Sequence, residues 1–239
     1  MITKELLDIR WKLLVFALIS LGTAGFQPFS LVSFSGQLSG TTVQRTSDFQ
    51  AHIWEHWFYL SNGPLIFLLF AIVLGCGLIA TEVSQGTITF LFSRPLSRNR
   101  ILLTKYAVSA ASLLIVAILS SIAILVSSMI LGYTLDMIRL LTATFLFWLG
   151  SLTPLGCALI FSIIASDTLR ALLWSLLTFA VGNVLLLIPR WQPWSLLYYW
   201  SSRQSYLQGT FPFAEYIFCF IAALLPLLLA LWLFHLKEY

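Results

Sequence analysis

Charge is what this sequence has least of. Asp, Glu, Lys and Arg supply 9% of its 239 residues, against roughly 25% in a water-soluble domain. Hydrophobic residues make up 59%, with a mean hydropathy of +0.94. No soluble core needs so much apolar sequence, so the class is a polytopic membrane protein. No Asp, Glu, Lys or Arg falls in the middle of a long apolar tract, which weighs against a proton- or ion-coupled transporter or a voltage sensor. A G-x-x-x-x-G-K-[ST] phosphate loop is missing, and Gly75-Cys76-Gly77 is too short for any nucleotide fingerprint. Any work this chain does draws its energy from another chain. The three cysteines, Cys76, Cys157 and Cys219, have spacing suited neither to a disulfide framework nor to zinc, and they read as small apolar packing residues. Period-two alternation is also absent, which excludes a membrane β-barrel, and no repeat relates the two halves as an inverted-repeat transporter would require.

What is present is a series of charge-free tracts at 13–44, 56–81, 106–135, 140–166, 171–189 and 216–236. Each reaches the ~17–25 residues a helix needs to cross a bilayer. The expected fold is therefore all-α, with six transmembrane helices in a single domain over 1–239. Residues 1–12 alternate charge with helically spaced Ile2, Leu6 and Ile9, the pattern of an amphipathic helix on the inner leaflet before the first crossing. The basic start, apolar stretch and small Gly22, Ala24 and Gly25 also fit a signal peptide; the segment is read as a retained signal anchor. Placing both termini in the cytoplasm puts nine cations inside and four outside, a good positive-inside bias in an inner, plasma membrane. The net charge of +4 then reflects topology and not affinity for nucleic acid. Two long outer loops are expected, 31–60 and 190–214, rich in Trp and Tyr suited to the membrane interface.

His52, Glu55 and His56 spell H-x-x-E-H, a zinc-protease signature. Three fixed positions make a weak match and the loop is too small for a peptide cleft, so an interfacial aromatic helix is the better reading. Ala158, Ser162 and Ser166 recur every four residues, which permits close helix approach, either in ordinary bundle packing or at a dimer seam.

The segment EVSQGTITFLFSRPLSRNRILLTK at 82–105 interrupts the apolar sequence. An acid, Glu82, stands at the membrane exit. Gly86 and Thr87 follow, then Ile88, Leu91 and Phe92, which share one helical face. Pro95 ends the helix; Arg94, Arg98 and Arg100 come next, and Lys105 marks re-entry. Positive-inside anchoring accounts for the cations but not for a short apolar-faced helix with an acid before it. That combination suits a peg that fits a groove on a cytosolic partner. Glu82 is expected to pair with a cation, Arg98 or an arginine of the partner, and Gly86 to permit close backbone approach or a bend.

Glu82, Gly86-Thr87, Pro95, Arg98 and Lys105, read as E-x-x-x-G-T…P-x-x-R…K, resemble the cytoplasmic loop of ABC-2 type permeases. The resemblance extends over the whole chain and is nearest to the small drug, bacteriocin and NosY-like kind. It implies a permease without its own ATPase site and without a cofactor of its own, paired with a second permease protomer and two cytosolic ABC ATPase subunits that hold ATP and Mg. It further implies that motion enters through the loop after the second helix, and that helices near 13–30 and 171–189 approach the path. Ser84 and Gln85 stand where many relatives carry charge. With no charge in the spans, lipid-like or amphipathic cargo is expected. The alternative is a non-translocating transmitter that passes ATPase-driven motion to an extracytoplasmic protein docked on 31–60 and 190–214.

Overall fold

The structure, a computed structural model, describes residues 2–34, 49–59, 62–87, 97–165, 167–184, 195–201 and 210–237. Among these, all regular structure is helical: α1 (Ile2–Phe34), a π-helical turn (Trp54–Tyr59), α2 (Asn62–Cys76), α3 (Ala80–Ser84), α4 (Arg98–Ile130), α5 (Met137–Ile164), α6 (Thr168–Val184), α7 (Leu196–Ser201) and α8 (Phe213–Leu236). Five stretches are long and apolar enough to cross a membrane: Glu5–Ser30, Phe49–Cys76, Arg98–Ile130, Met137–Ile164 and Phe213–Leu236. The expected fifth crossing is the shorter apolar helix α6, described through Val184.

α5 is the hub. It packs against α2, α4, α6, α7 and α8, and small residues let α2, α7 and α8 close in. A Cβ on Gly150 would lie 2.7 Å from the Trp200 ring of α7, and one on Gly156 would lie 2.9 Å from Pro226 of α8. A Cβ on Gly75 of α2 would lie 2.6 Å from Ala158 of α5. The Ala158–Ser162 stripe therefore works inside the bundle; Ser166 lies outside the described residues. Buried hydroxyls join other pairs: Ser20 to Ser120 between α1 and α4, and Ser121 to Thr144 between α4 and α5, each at 2.6 Å.

The ends of the helices follow local chemistry. α4 stops at Gly132, whose φ of +79° only glycine adopts freely. There Gly132 N–H donates to Met129 O and Tyr133 N–H to Ser128 O, each at 3.0 Å, a Schellman closure. Asp136 then caps α5, its carboxylate accepting from Ile138 and Arg139 N–H at 3.0 and 3.3 Å. Asp167 accepts from Arg170 N–H at 2.8 Å at the start of α6.

Two expectations need correction. Residues 2–12 are not a separate interfacial helix; they are the first turns of a continuous 33-residue α1. Along it, Ile9 is buried on the bundle, while Leu6, Leu7 and Trp11 are exposed. Nor is 31–60 one outer loop. Residues through Phe34 belong to α1, and 49–59 are helical. Phe49, Ile53, Trp54, Trp57 and Phe58 are all buried. Phe49 stacks on Tyr133 at 4.2 Å between centroids, and Phe58 meets Phe147 edge-on at 5.6 Å. Aromatic area of this size is better removed from water in a core than left at an interface. In 190–214, α7 forms a short helix, and its Trp200 is buried and donates to Phe147 O at 2.6 Å. Trp191 and Trp194 lie outside the described residues.

Candidate functional site

α2 ends at Cys76, and a turn over 77–79 leads into α3. Backbone groups freed by such a break at membrane depth must find partners. Ser162 of α5 supplies them: its Oγ accepts from Ile79 and Ala80 N–H at 3.0 and 2.8 Å and donates to Cys76 O at 2.8 Å.

α3 closes one turn later. Gly86 has φ +68°. Its N–H donates to Val83 O at 3.1 Å, and Thr87 N–H donates to Glu82 O at 3.0 Å. This is a second Schellman closure. A Cβ on Gly86 would meet nothing within 4 Å. Of the two roles open to this glycine, the bend is present, and among the described residues no backbone approaches it closely.

The motif E-x-x-x-G-T thereby acquires a geometry. The reversal at Gly86 returns Thr87 to Glu82, and the Thr87 hydroxyl donates to the Glu82 carboxylate. The other oxygen of that carboxylate lies 3.3 Å from Lys105 Nζ on α4. Lys105 also contacts both oxygens of Glu5, on α1, at 3.0 Å. All three ionisable side chains are withdrawn from water, with Lys105 3%, Glu5 6% and Glu82 8% exposed. The cation beside Glu82 is thus Lys105, where Arg98 or a partner's arginine was expected. Lys105 is a buried linchpin more than a marker of re-entry. Exposed ion pairs contribute ~0–1 kcal/mol; that scale does not apply to Glu82. Glu5 was not singled out from sequence, since it sits among alternating charges that look solvated.

Arg98 opens α4 and donates to Lys237 O, just past α8, at 3.1 Å. Lys237 Nζ in turn donates to Ile163 O, and to Ile164 O at 3.4 Å, at the end of α5. A cation there complements the helix C-terminus, while partial withdrawal from water lowers the amine's pKa from the usual lysine value. Glu5, residues 82–87, Arg98, Lys105 and Lys237 therefore share one end of the bundle. Ile88, Leu91, Phe92 and Pro95 lie outside the described residues.

His52 and His56 bring their rings to 4.2 Å between centroids. His52 Nε2 is 3.2 Å from Ser30 Oγ, a contact between the first two crossings. Among the described residues no three His, Cys, Asp or Glu side chains are grouped to hold a metal ion.

Residues 13–189 match the family described as ABC-2 family transporter protein. The chain belongs to the ABC-2 transporter family. It is also similar to "Uncharacterized protein YhcI" of Bacillus subtilis (strain 168), 33% identical over 86 residues. That match covers 36% of this chain and spans only 26% of the relative's length. ABC-2 proteins are the membrane subunits of ABC transporters, working in general with an ABC ATPase and as dimers. Membership agrees with the multi-pass helical architecture, and the matched range contains the whole of 82–105.

Proposed function

We propose that this chain is the permease subunit of an ABC exporter for lipid-like or amphipathic cargo. A separate cytosolic ATPase drives it by gripping the segment between Glu82 and Lys105. ATP and Mg sit on that ATPase and not on this chain. The chain lies in the plasma (inner) membrane with both termini and residues 82–105 cytoplasmic, beside a second permease protomer.

One observation carries the reading. Glu82 and Thr87, at the entry to the segment, are tied to Lys105, at its exit, and through it to Glu5 on α1. Force applied between residues 88 and 96 would reach α1 and α4 together. A loop that served only to anchor cations would not need its two ends tied by buried charge. Arg98, through Lys237, carries the same connection to α5 and α8. Ile88, Leu91 and Phe92 supply the apolar face, and burying one such side chain contributes roughly 1.5–3 kcal/mol.

The transmitter reading calls for a protein docked on 31–60 and 190–214; within the first of these, Trp54, Trp57 and Phe58 are buried and offer no docking surface. The test of the exporter reading is co-purification of the ATPase with the full chain. Leu91→Ala with Phe92→Ala is expected to weaken ATPase retention at least tenfold while the variant elutes as the parent does. Equal retention and equal ATP turnover would refute the coupling role.

A further inference from the structure

A half-open cavity of about 340 Å³ lies between α2, α5, α6, α7 and α8. Leu68, Phe179, Leu196, Leu197, Trp200 and Phe218 supply most of its apolar wall. No carboxylate, amine, guanidinium or imidazole lines it among the described residues. Two of its lining residues, Thr153 of α5 and Ser195 just before α7, carry hydroxyls that are buried without a hydrogen-bond partner. Thr153 is 8% and Ser195 2% exposed. Buried hydroxyls are ordinarily satisfied, and two orphans around one cavity ask for a shared explanation. A third polar group is close at hand: Pro226 has no N–H to offer the carbonyl of Ala222, four residues earlier on α8, and Ala222 also lines the cavity.

The side of the cavity has a natural entrance. α6 and α8 each pack on α5, but they are not close neighbours of one another. Thr178 and Gly182 of α6 are exposed there, as is Phe218 of α8.

We propose that the cavity is a binding site for a neutral, hydroxyl- and ester-bearing lipid that enters from the membrane between α6 and α8. Its polar head exchanges hydrogen bonds with Thr153, Ser195 and the Ala222 carbonyl, and its chains leave through the gap. The ligand is neutral because a charged head would be buried here with no counter-charge. Water alone would satisfy the hydroxyls but would leave the apolar wall without a partner. The site goes beyond the coupling reading. Its occupancy does not depend on whether the lipid is cargo or a bound regulator, and it is measured without ATP turnover.

The probe is a diazirine-bearing dioleoylglycerol, photolysed against the full chain in nanodiscs, with the labelled residues read by mass spectrometry. Labelling is expected to saturate, to centre on the cavity residues of α5, α6, α7 and α8, and to be competed by unlabelled dioleoylglycerol but not by phosphatidylglycerol. Thr153→Val with Ser195→Ala is expected to lower apparent affinity at least tenfold without lowering the thermal midpoint, since it removes only unpartnered hydroxyls. Ala222→Phe, which fills the cavity, is expected to abolish saturable labelling. Labelling spread around the bundle without saturation, equal competition by phosphatidylglycerol, or unchanged affinity in the hydroxyl-free variant would each overturn the proposal.

Discussion

At Lys105 a single ammonium holds two carboxylates out of water. Such an arrangement is fragile in one direction only. Removing the shared cation leaves Glu5 and Glu82 buried near each other, and breaking a buried pair in this way costs about 3–5 kcal/mol. Replacing all the members together can be nearly neutral, because no buried charge is stranded. Lys105→Met alone is therefore expected to lower the thermal midpoint of the purified chain sharply. Adding Glu5→Gln and Glu82→Gln should restore most of the loss. The triple variant should nevertheless fail to respond to its ATPase, since the link from Thr87 to α1 would be gone. A single Lys105→Met variant as stable as the parent would show that these charges do not hold the two helices together. Little of this was legible in the sequence. The partners of Lys105 lie 100 and 23 residues away, and no local pattern separates a buried lysine from a positive-inside anchor.

At the scale of elements, the break between α2 and α3 depends on one side chain. Ser162 serves two N–H groups and one carbonyl. Each buried backbone group left unpaired costs about 1–3 kcal/mol. Ser162→Ala is thus expected to cost at least about 2 kcal/mol, measured as denaturation in mixed micelles. Gly75→Val should also destabilise, by about 1–3 kcal/mol, through overpacking against α5. Gly22→Ala supplies the contrast: a Cβ there meets nothing within 4 Å, and helix propensity favours alanine by ~1 kcal/mol. Stability losses of equal size at Gly22 and Gly75 would contradict the packing described for α5. Sequence patterning did mark much of this level. The closures at Gly132, Asp136 and Asp167 are chemistry within three or four residues, the range over which local sequence acts. The period-four stripe at Ala158 and Ser162 was visible as well, but its use within the bundle depended on where α2 lies. The aromatic helix around His52–His56 was expected, but its burial was missed because His, Glu and Trp together resemble an interface, and only packing against Tyr133 and Phe147 shows that these aromatics face inward.

On the scale of the molecule, α1 and α4 are each 33 residues long, about 50 Å at 1.5 Å per residue. Both exceed a ~30 Å hydrocarbon core, so part of each helix must extend past it. Their N-terminal turns are joined at Glu5 and Lys105, at the same end as residues 82–87 and Lys237. The helical, multi-pass character was legible from composition, because spans without charge have few other uses. The lengths of α1 and α4 were not, because charged residues at the ends of a helix look like loop when counted by charge alone. The account's central claim is that a cytosolic ATPase contacts this end of the bundle through residues 88–92. The most direct measurement is photocrosslinking from benzoylphenylalanine placed at Leu91, with the same probe at Met137, at the opposite end of the bundle, as control. The account predicts a crosslinked ATPase from Leu91 that changes with nucleotide, and none from Met137. Crosslinking to the ATPase from Met137 and not from Leu91 would contradict it.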